Sequence, residues 1–437
     1  MRVVSADWVL PVEGAPIENG AVAIEDGRIA TVGTVAELGE GERFPDAAIV
    51  PGFVNAHAHL EYAVYAGFGD GLSFGPWIVM HTERKGRLER GDMEAIARLG
   101  AAECLRSGIT SVGDLAFSGA SAHACAALGL RAIVYLEVFG REGAQAMATF
   151  ADKRAYVEGS LSERVRIGVS PHAPYTCSDD VYRACFELDL PLATHLNESQ
   201  DELDWLLRGE GPWQSFADVL PPPSGQSGIR RLAAAGLLDE RMVAAHCVKV
   251  DREEIELLAQ HDVRIAHCPR SNALLGCGIA PLVELQAAGL RVGAGTDGVS
   301  SVPSHDFFEE LRMVIAAARI RAERAEALSA TETLELATLG GARALGLDSE
   351  VGSLVAGKRA DLAIVSLAGS PYLPWEDPAA AVVYGGSPER VLTTLVDGEA
   401  RYEKGGFQWH DLVAAASEAR RRMLTPSAAP ASASAQR

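Results

Sequence analysis

The chain has 437 residues, 48% of them apolar and 22% charged, the balance of a folded globular protein and not of a disordered chain or a coiled-coil rod. Its net charge of −20 argues against nucleic-acid or anionic-membrane partners, which are held by Lys and Arg contacts to phosphate. Seven cysteines without a C-x-x-C motif make no disulfide or zinc framework; with no basic and apolar leader at the start and no run near 18 apolar residues, a cytoplasmic protein is expected.

At roughly 150 residues per domain the length suggests about three domains, although large barrels exceed that unit. The first fifty residues read as short strands and turns, with strands at 2–9 and 21–24 and a turn at Glu25-Asp26-Gly27-Arg28. From about residue 53 the texture changes. Apolar runs recur at 49–57, 109–115, 132–139, 166–170, 192–196, 242–248, 264–269 and 290–297, with helical patterns between them such as 94–108, 178–189 and 252–262. Strands alternating with helices imply βαβ units and a parallel sheet. Eight units over about 300 residues fit a (β/α)8 barrel, with a doubly wound sheet as the alternative. Pro221-Pro222-Pro223 marks a loop within it. Short strands and turns return at 352–367 and 389–405, mirroring the start. The expected organisation is therefore a composite β domain from 1–52 and 351–408, a barrel over 53–350, and a low-complexity, disordered tail at 424–437.

The polar residues fall where chemistry would need them. Barrel enzymes build their sites at the C-terminal ends of the strands, and several runs here end in a histidine or a carboxylate. His57 and His59 form H-x-H in VNAHAHL, and strand alternation places i and i+2 on one side. His195 ends LATH, His246 ends VAAH and Asp297 ends VGAGTD. Each alone is an ordinary core or loop residue. Five at the ends of four strands are hard to explain by packing, and imidazole with carboxylate suits Zn²⁺ or Fe²⁺.

These motifs, with SPHAPYTCS, HLNESQDE, HCPRSN and GSLVAGKRADLAIV, cover nearly the whole chain. Through them it resembles the amidohydrolase superfamily, in its cytosine-deaminase-like and chlorohydrolase-like branch. The resemblance implies an α/β fold, a distorted (β/α)8 TIM barrel with a small β-sandwich from both termini. It implies one divalent metal, zinc before iron, on His57, His59, His195 and Asp297. It makes Glu198, in HLNE, the proton shuttle, His246 the residue that holds the attacking water, and Asp297 a proton acceptor as well as a ligand. Binuclear members carry a bridging lysine on the fourth strand. Only five lysines are present, Lys85, Lys153, Lys249, Lys358 and Lys404, and none lies in RIGVSPHAP, so a mononuclear site is expected. His172, in that run, becomes a substrate contact.

The implied reaction is hydrolytic deamination of an amino-heterocycle. The H-x-E and P-C-x-x-C signature of single-strand nucleic-acid deaminases is absent. The closer branches resembled are methylthioadenosine/S-adenosylhomocysteine deaminases and aminodeoxyfutalosine deaminases. In that group an aromatic and a glutamate after the first strand bind the nucleoside, which points to Trp77 and Glu83, the latter able to accept both ribose hydroxyls. The stretch around GEGPWQSFADVL and Arg270 of HCPRSN favour 6-amino-6-deoxyfutalosine and hence menaquinone synthesis. Arg141 could meet a substrate carboxylate, though a surface role suits it better. The remaining alternatives are another adenosine derivative, a triazine or guanine-type ring, and a non-catalytic binding relative. The partner expected is a small nucleoside, with no nucleic acid or membrane and with room for a homodimer.

Overall fold

The computed structural model describes residues 1–369 and 376–425. Its strands run β1 (Arg2–Val9), β2 (Ile17–Glu25), β3 (Arg28–Thr34), β4 (Glu42–Pro51), β5 (Phe53–His59), β6 (Ile109–Ala116), β7 (Arg131–Val138) and β8 (Val165–Pro171). There follow β9 (Leu192–Leu196), β10 (Met242–His246), β11 (Arg264–His267), β12 (Val292–Ala294), β13 (Asp297–Gly298), β14 (Leu362–Ser366), β15 (Val391–Val396) and β16 (Glu399–Glu403).

Strands from both ends of the chain form one seven-stranded mixed sheet, in the order β16-β15-β14-β4-β1-β2-β3. Period-two alternation explains how it buries both faces. Ala47, Ile49, Leu362 and Ile364 pack with Val4, Val22 and Leu395 in the sheet's own core. Their neighbours Ala48, Val50, Ala363 and Val365 turn the other way and join the core shared with the barrel helices.

The barrel strands β5 to β12 pair in parallel in chain order, and β13 pairs with β5. The segment 292–298 therefore closes the ring. It pairs with β11 through Val292–Ala294 and with β5 through Asp297 and Gly298. At the break between them the Asn55 side chain takes over: its Nδ2 donates to Thr296 Oγ1 (2.8 Å) and its Oδ1 accepts from Thr296 N (3.0 Å). The expected barrel is thus observed, with two differences in detail. The run 49–57 is two strands in two sheets, divided at Gly52, where a Cβ would lie 2.1 Å from Thr110 Oγ1. The run 290–297 is split as described.

The ring is distorted between β8 and β9, whose registered pairing is Val169 with Leu192. At the opposite, N-terminal end, Arg131 of β7 is 2% exposed and joins the barrel to the terminal sheet through Asp361 (3.0 Å) and Asp397 (2.7 Å). The His410–Leu424 helix buries Ala416, Ala419 and Met423 against Tyr62, Tyr65 and Ile96. Leu424, expected to open the tail, is the last residue of that helix; residues 426–437 lie outside the described residues. All seven cysteines are free and buried. Among the described residues no helix is long and apolar enough to cross a membrane.

Candidate metal and active site

A register shift aims the H-x-H pair. Val54 and Ala56 pack inside the barrel, so strict alternation would turn His57 and His59 outward. The pairing of β5 with β6 slips between Asn55 and Ala58. The slip resets the phase, and both rings enter the mouth.

There they meet His195 from β9, His246 from β10 and Asp297 from β13. Ligand-type atoms of His57, His59 and His195 lie within 4.8 Å of one another, as do those of His57, His246 and Asp297. His59 Nδ1 donates to Leu115 O and His195 Nδ1 to His172 O, each at 2.9 Å. The Nε2 atoms of both rings therefore present lone pairs, and these lie 3.2 Å apart. His57 Nε2 and His59 Nε2 are each 3.4 Å from Asp297 Oδ1. His57 Nε2 and His246 Nε2 are buried without a hydrogen-bond partner. Burial holds His57 and His195 below the usual histidine range and takes His246 down to about 4, the direction that favours the neutral rings a metal needs. Converging neutral lone pairs beside a carboxylate repel one another unless a cation lies between them. The donor set fits a divalent metal.

The outer contacts of these groups are also built in. Asp297 Oδ2 accepts from Ser271 Oγ (2.6 Å) and Ser301 Oγ (2.7 Å), and Oδ1 accepts from Gly298 N (2.7 Å). Burial opposes charge on Asp297, yet its carboxyl lies well below the usual range, the direction that the three hydrogen bonds it accepts favour. His246 Nδ1 donates to Asn272 Oδ1 (2.9 Å). Asn197 (φ 49°), His246 (φ 74°), Cys247 (φ 46°) and Asp297 (φ 62°) are left-handed, a conformation costing non-glycine residues roughly 1–3 kcal/mol each. The strain sits where side chains are being aimed.

Glu198 follows β9 and is 3% exposed, with Oε1 3.7 Å from His246 Nδ1. Burial, then the charges of Asp297 and Glu202, push its carboxyl well above the usual range. Glu202 fixes the turn by accepting from Asn197 N (3.1 Å) and Glu198 N (2.7 Å).

The cavity above this cluster is lined by Trp77, His81, Lys85, Glu137, His172 and Tyr175, with His59, His195, Glu198, His246 and Asp297 at its floor. The Phe74–Lys85 helix supplies one wall, with Phe74, Trp77, Ile78, His81 and Lys85 facing in at helical spacing. Trp77 Nε1 donates to Ser300 O (2.8 Å), and its ring stacks on His81 at 5.3 Å. Glu83 falls on the opposite face: its side chain is 67% exposed and paired with Arg87. The expected ribose contact from Glu83 is therefore not available, because that face of the helix is in solvent. His172 lies in the wall, Nδ1 2.8 Å from Thr176 Oγ1, its ring 4.7 Å from that of His195. Burial takes it down to about 4.

Beyond Ile78, Lys85, His172 and Tyr175 the cavity opens into an outer chamber of about 380 Å³ walled by Phe117, Phe139, Trp213 and Phe216. Arg141 holds its rim by donating to Leu220 O and Ala217 O, each at 2.8 Å. Arg270 makes no wall. It is anchored to Glu310 (2.9 Å) and Glu309 (2.7 Å), and so seats the short helix that carries Ser271 and Asn272.

Sequence reasoning missed Lys85, His81 and Glu137. Spacing from Trp77 by fours finds the first two. Glu137 is the single charged residue of the run 132–139, near the strand end where the other candidates were sought.

A sequence profile described as "Amidohydrolase family" matches residues 48–401. The chain is 32% identical over 405 residues to a 5'-deoxyadenosine deaminase of Methanothermobacter thermautotrophicus, covering 90% of this chain and 91% of that one. It is 34% identical over 421 residues to a 5-methylthioadenosine/S-adenosylhomocysteine deaminase of Symbiobacterium thermophilum, covering 92% and 93%. A zinc-bound crystal structure of an adenosine deaminase from Xanthomonas campestris superposes with a TM-score of 0.87 at 29% identity, covering 96% and 98%.

Proposed function

The chain belongs to the amidohydrolase family, and from that premise we propose that it is a cytoplasmic, metal-dependent deaminase of 5′-modified adenine nucleosides. Water oxygen replaces the exocyclic amino group at C6, ammonia leaves, and adenine becomes hypoxanthine. The observation that carries this reading is Glu198, a buried carboxyl on the cavity wall beside His246 and the ligand cluster. A buried carboxyl whose acid form is favoured can protonate the ring nitrogen as C6 is attacked; as the C6 hydroxyl becomes the carbonyl, the proton it gives up passes through the same carboxylate to the departing amine. Asp297, held ionised, accepts the proton released by water. His246, fixed by Asn272, orients the water and faces the charge that develops on the ring. One divalent ion, zinc before iron, would be held by His57, His59, His195 and Asp297, and when bound it supplies Lewis-acid activation of water. The seven free thiols suit a reducing compartment.

Of the substrates in this class we favour 6-amino-6-deoxyfutalosine, which would set the enzyme in menaquinone synthesis. Its 5′ substituent is an aryl ketone bearing a carboxylate, and the outer chamber offers an aromatic wall of matching kind. Methylthioadenosine or S-adenosylhomocysteine is the second reading, favoured by the names of the relatives. A panel of kcat/KM values over aminodeoxyfutalosine, methylthioadenosine, S-adenosylhomocysteine and adenosine decides between them. The highest value is expected for aminodeoxyfutalosine. Preference for a small 5′ group would overturn that choice, and failure of metal-loaded protein to deaminate any of the four would overturn the nucleoside reading.

A further inference from the structure

Two lysines and two carboxylates are buried beside the cavity. Lys85 is 9% exposed, Lys153 7%, Glu61 0% and Glu137 1%. Phe117 lies between the ammonium groups, its ring centre 3.9 Å from Lys85 Nζ and 5.2 Å from Lys153 Nζ. Lys153 Nζ donates to the backbone oxygen of Glu137 (2.7 Å). The four charges balance, so the cluster does not require a charged ligand.

The two carboxylates differ in what they have left to offer. Glu61 accepts from Ser118 N (2.8 Å), Ser118 Oγ (2.9 Å) and Ser121 N (3.4 Å). Glu137 Oε2 is buried with no partner, and the side chain lines the cavity. A carboxyl oxygen of Glu137 lies within 4.8 Å of ring nitrogens of both His172 and His195. A second metal on that trio fails on valence. His195 spends Nδ1 on His172 O and aims Nε2 at the first cluster, so it has no nitrogen for another ion.

We propose that Glu137 is the specificity residue that grips a vicinal diol of the substrate, the 2′- and 3′-hydroxyls of the ribose, an assignment that rests on the nucleoside reading above. An ionised carboxylate in a charge-balanced pocket seeks neutral donors, and its two oxygens can take one hydroxyl each. Burial opposes that charge, and the ammonium groups of Lys85 and Lys153 answer it. The role expected of Glu83 thus passes from a helix face in solvent to the end of β7.

The test compares wild type and Glu137→Gln on the ribo, 2′-deoxy and 3′-deoxy forms of the best nucleoside in the panel. Wild type is expected to lose roughly 10- to 100-fold in kcat/KM for each missing hydroxyl. Glu137→Gln should lose about as much on the ribo form, chiefly through KM, and should treat ribo and deoxy forms nearly alike. Unchanged discrimination in the variant would overturn the assignment. So would wild-type indifference to both hydroxyls, a comparison that needs no variant to fold. If wild type deaminates the ribo and deoxy forms equally, only the diol assignment falls; if it deaminates no nucleoside, the deaminase reading falls and takes the assignment with it.

Discussion

Charge is buried at both ends of this barrel, and the two ends use it in opposite ways. At the N-terminal end Arg131 donates from Nε and Nη2 to Asp361 (3.0 and 3.2 Å) and from Nη2 to Asp397 (2.7 Å). Asp361 in turn accepts from Asp397 N (2.8 Å), and Asp397 from Arg164 Nε (2.9 Å). The charges are matched and hydrogen-bonded, and the network joins two sheets. At the mouth, His57 Nε2, His246 Nε2 and Glu137 Oε2 are as deeply buried and have no partner. Protein interiors satisfy buried polar groups because leaving one unmet costs about 1–3 kcal/mol. A cluster that forgoes this, on backbone held left-handed at His246 and Asp297, is shaped for something that binds. The lower end secures the fold, and the mouth gives up stability for chemistry.

The sharpest way to break this contrast is to disturb the mouth and watch both readouts. Removing metal with a chelator, or replacing His57 by Ala, should abolish turnover. Returning zinc to chelated wild type should restore it and raise Tm, since ligand at a hundred times its Kd stabilises the folded state by about 2.7 kcal/mol. Full activity in the chelated protein would end the metal reading. Glu198→Gln should come next, lowering kcat by about 10²- to 10⁴-fold with metal content unchanged. Its Tm should equal or exceed that of wild type, because burial already resists ionisation at this position. Near-normal kcat in that variant would refute the shuttle role.

The lower end should answer in reverse. Arg131→Met leaves Asp361 and Asp397 without their shared cation, and stripping one partner from a buried ion pair destabilises by about 3–5 kcal/mol. Denaturant unfolding should show that loss, while kcat/KM per folded molecule stays within a few-fold of wild type. A large change in kcat/KM with stability intact would mean that the two ends are coupled and that the contrast drawn above is wrong.

The fold was legible because its signals are periodic. Alternating strand and helix patterns located the barrel, and the terminal strands carry the same alternation on both buried faces. The ligand candidates were legible because each ends an apolar run. The phase of His57 was not, since strict alternation from Val54 and Ala56 turns it outward and only the slip against β6 corrects it. Gly52 divided an apparently single run because the obstacle to a side chain there is Thr110, far along the chain. Glu83 was misplaced because spacing along a loosely matched stretch does not say which helix face meets the cavity; Trp77, His81 and Lys85, each four residues from the last, do. Glu137 was overlooked within a strand that otherwise reads as core.

Ser271 offers the finest distinction between the two ends. Asp297 Oδ2 is held by two hydroxyls, from Ser271 at 2.6 Å and Ser301 at 2.7 Å. Ser271→Ala removes one and leaves the carboxylate satisfied by the other and by Gly298 N, so global stability should fall by no more than about 1 kcal/mol. The orientation of Asp297 toward the cluster then rests on fewer contacts. Loss of such an outer hydrogen bond typically weakens metal affinity 10- to 100-fold, and with Ser301 still in place the lower figure, about tenfold, is expected. Competition against a chelator of known affinity measures it, and kcat at saturating metal should change little. A wild-type metal affinity in Ser271→Ala would show that Ser301 and the backbone aim Asp297 unaided. A loss of several kcal/mol in stability would show instead that this serine behaves like the Arg131 network, as a fastening of the fold.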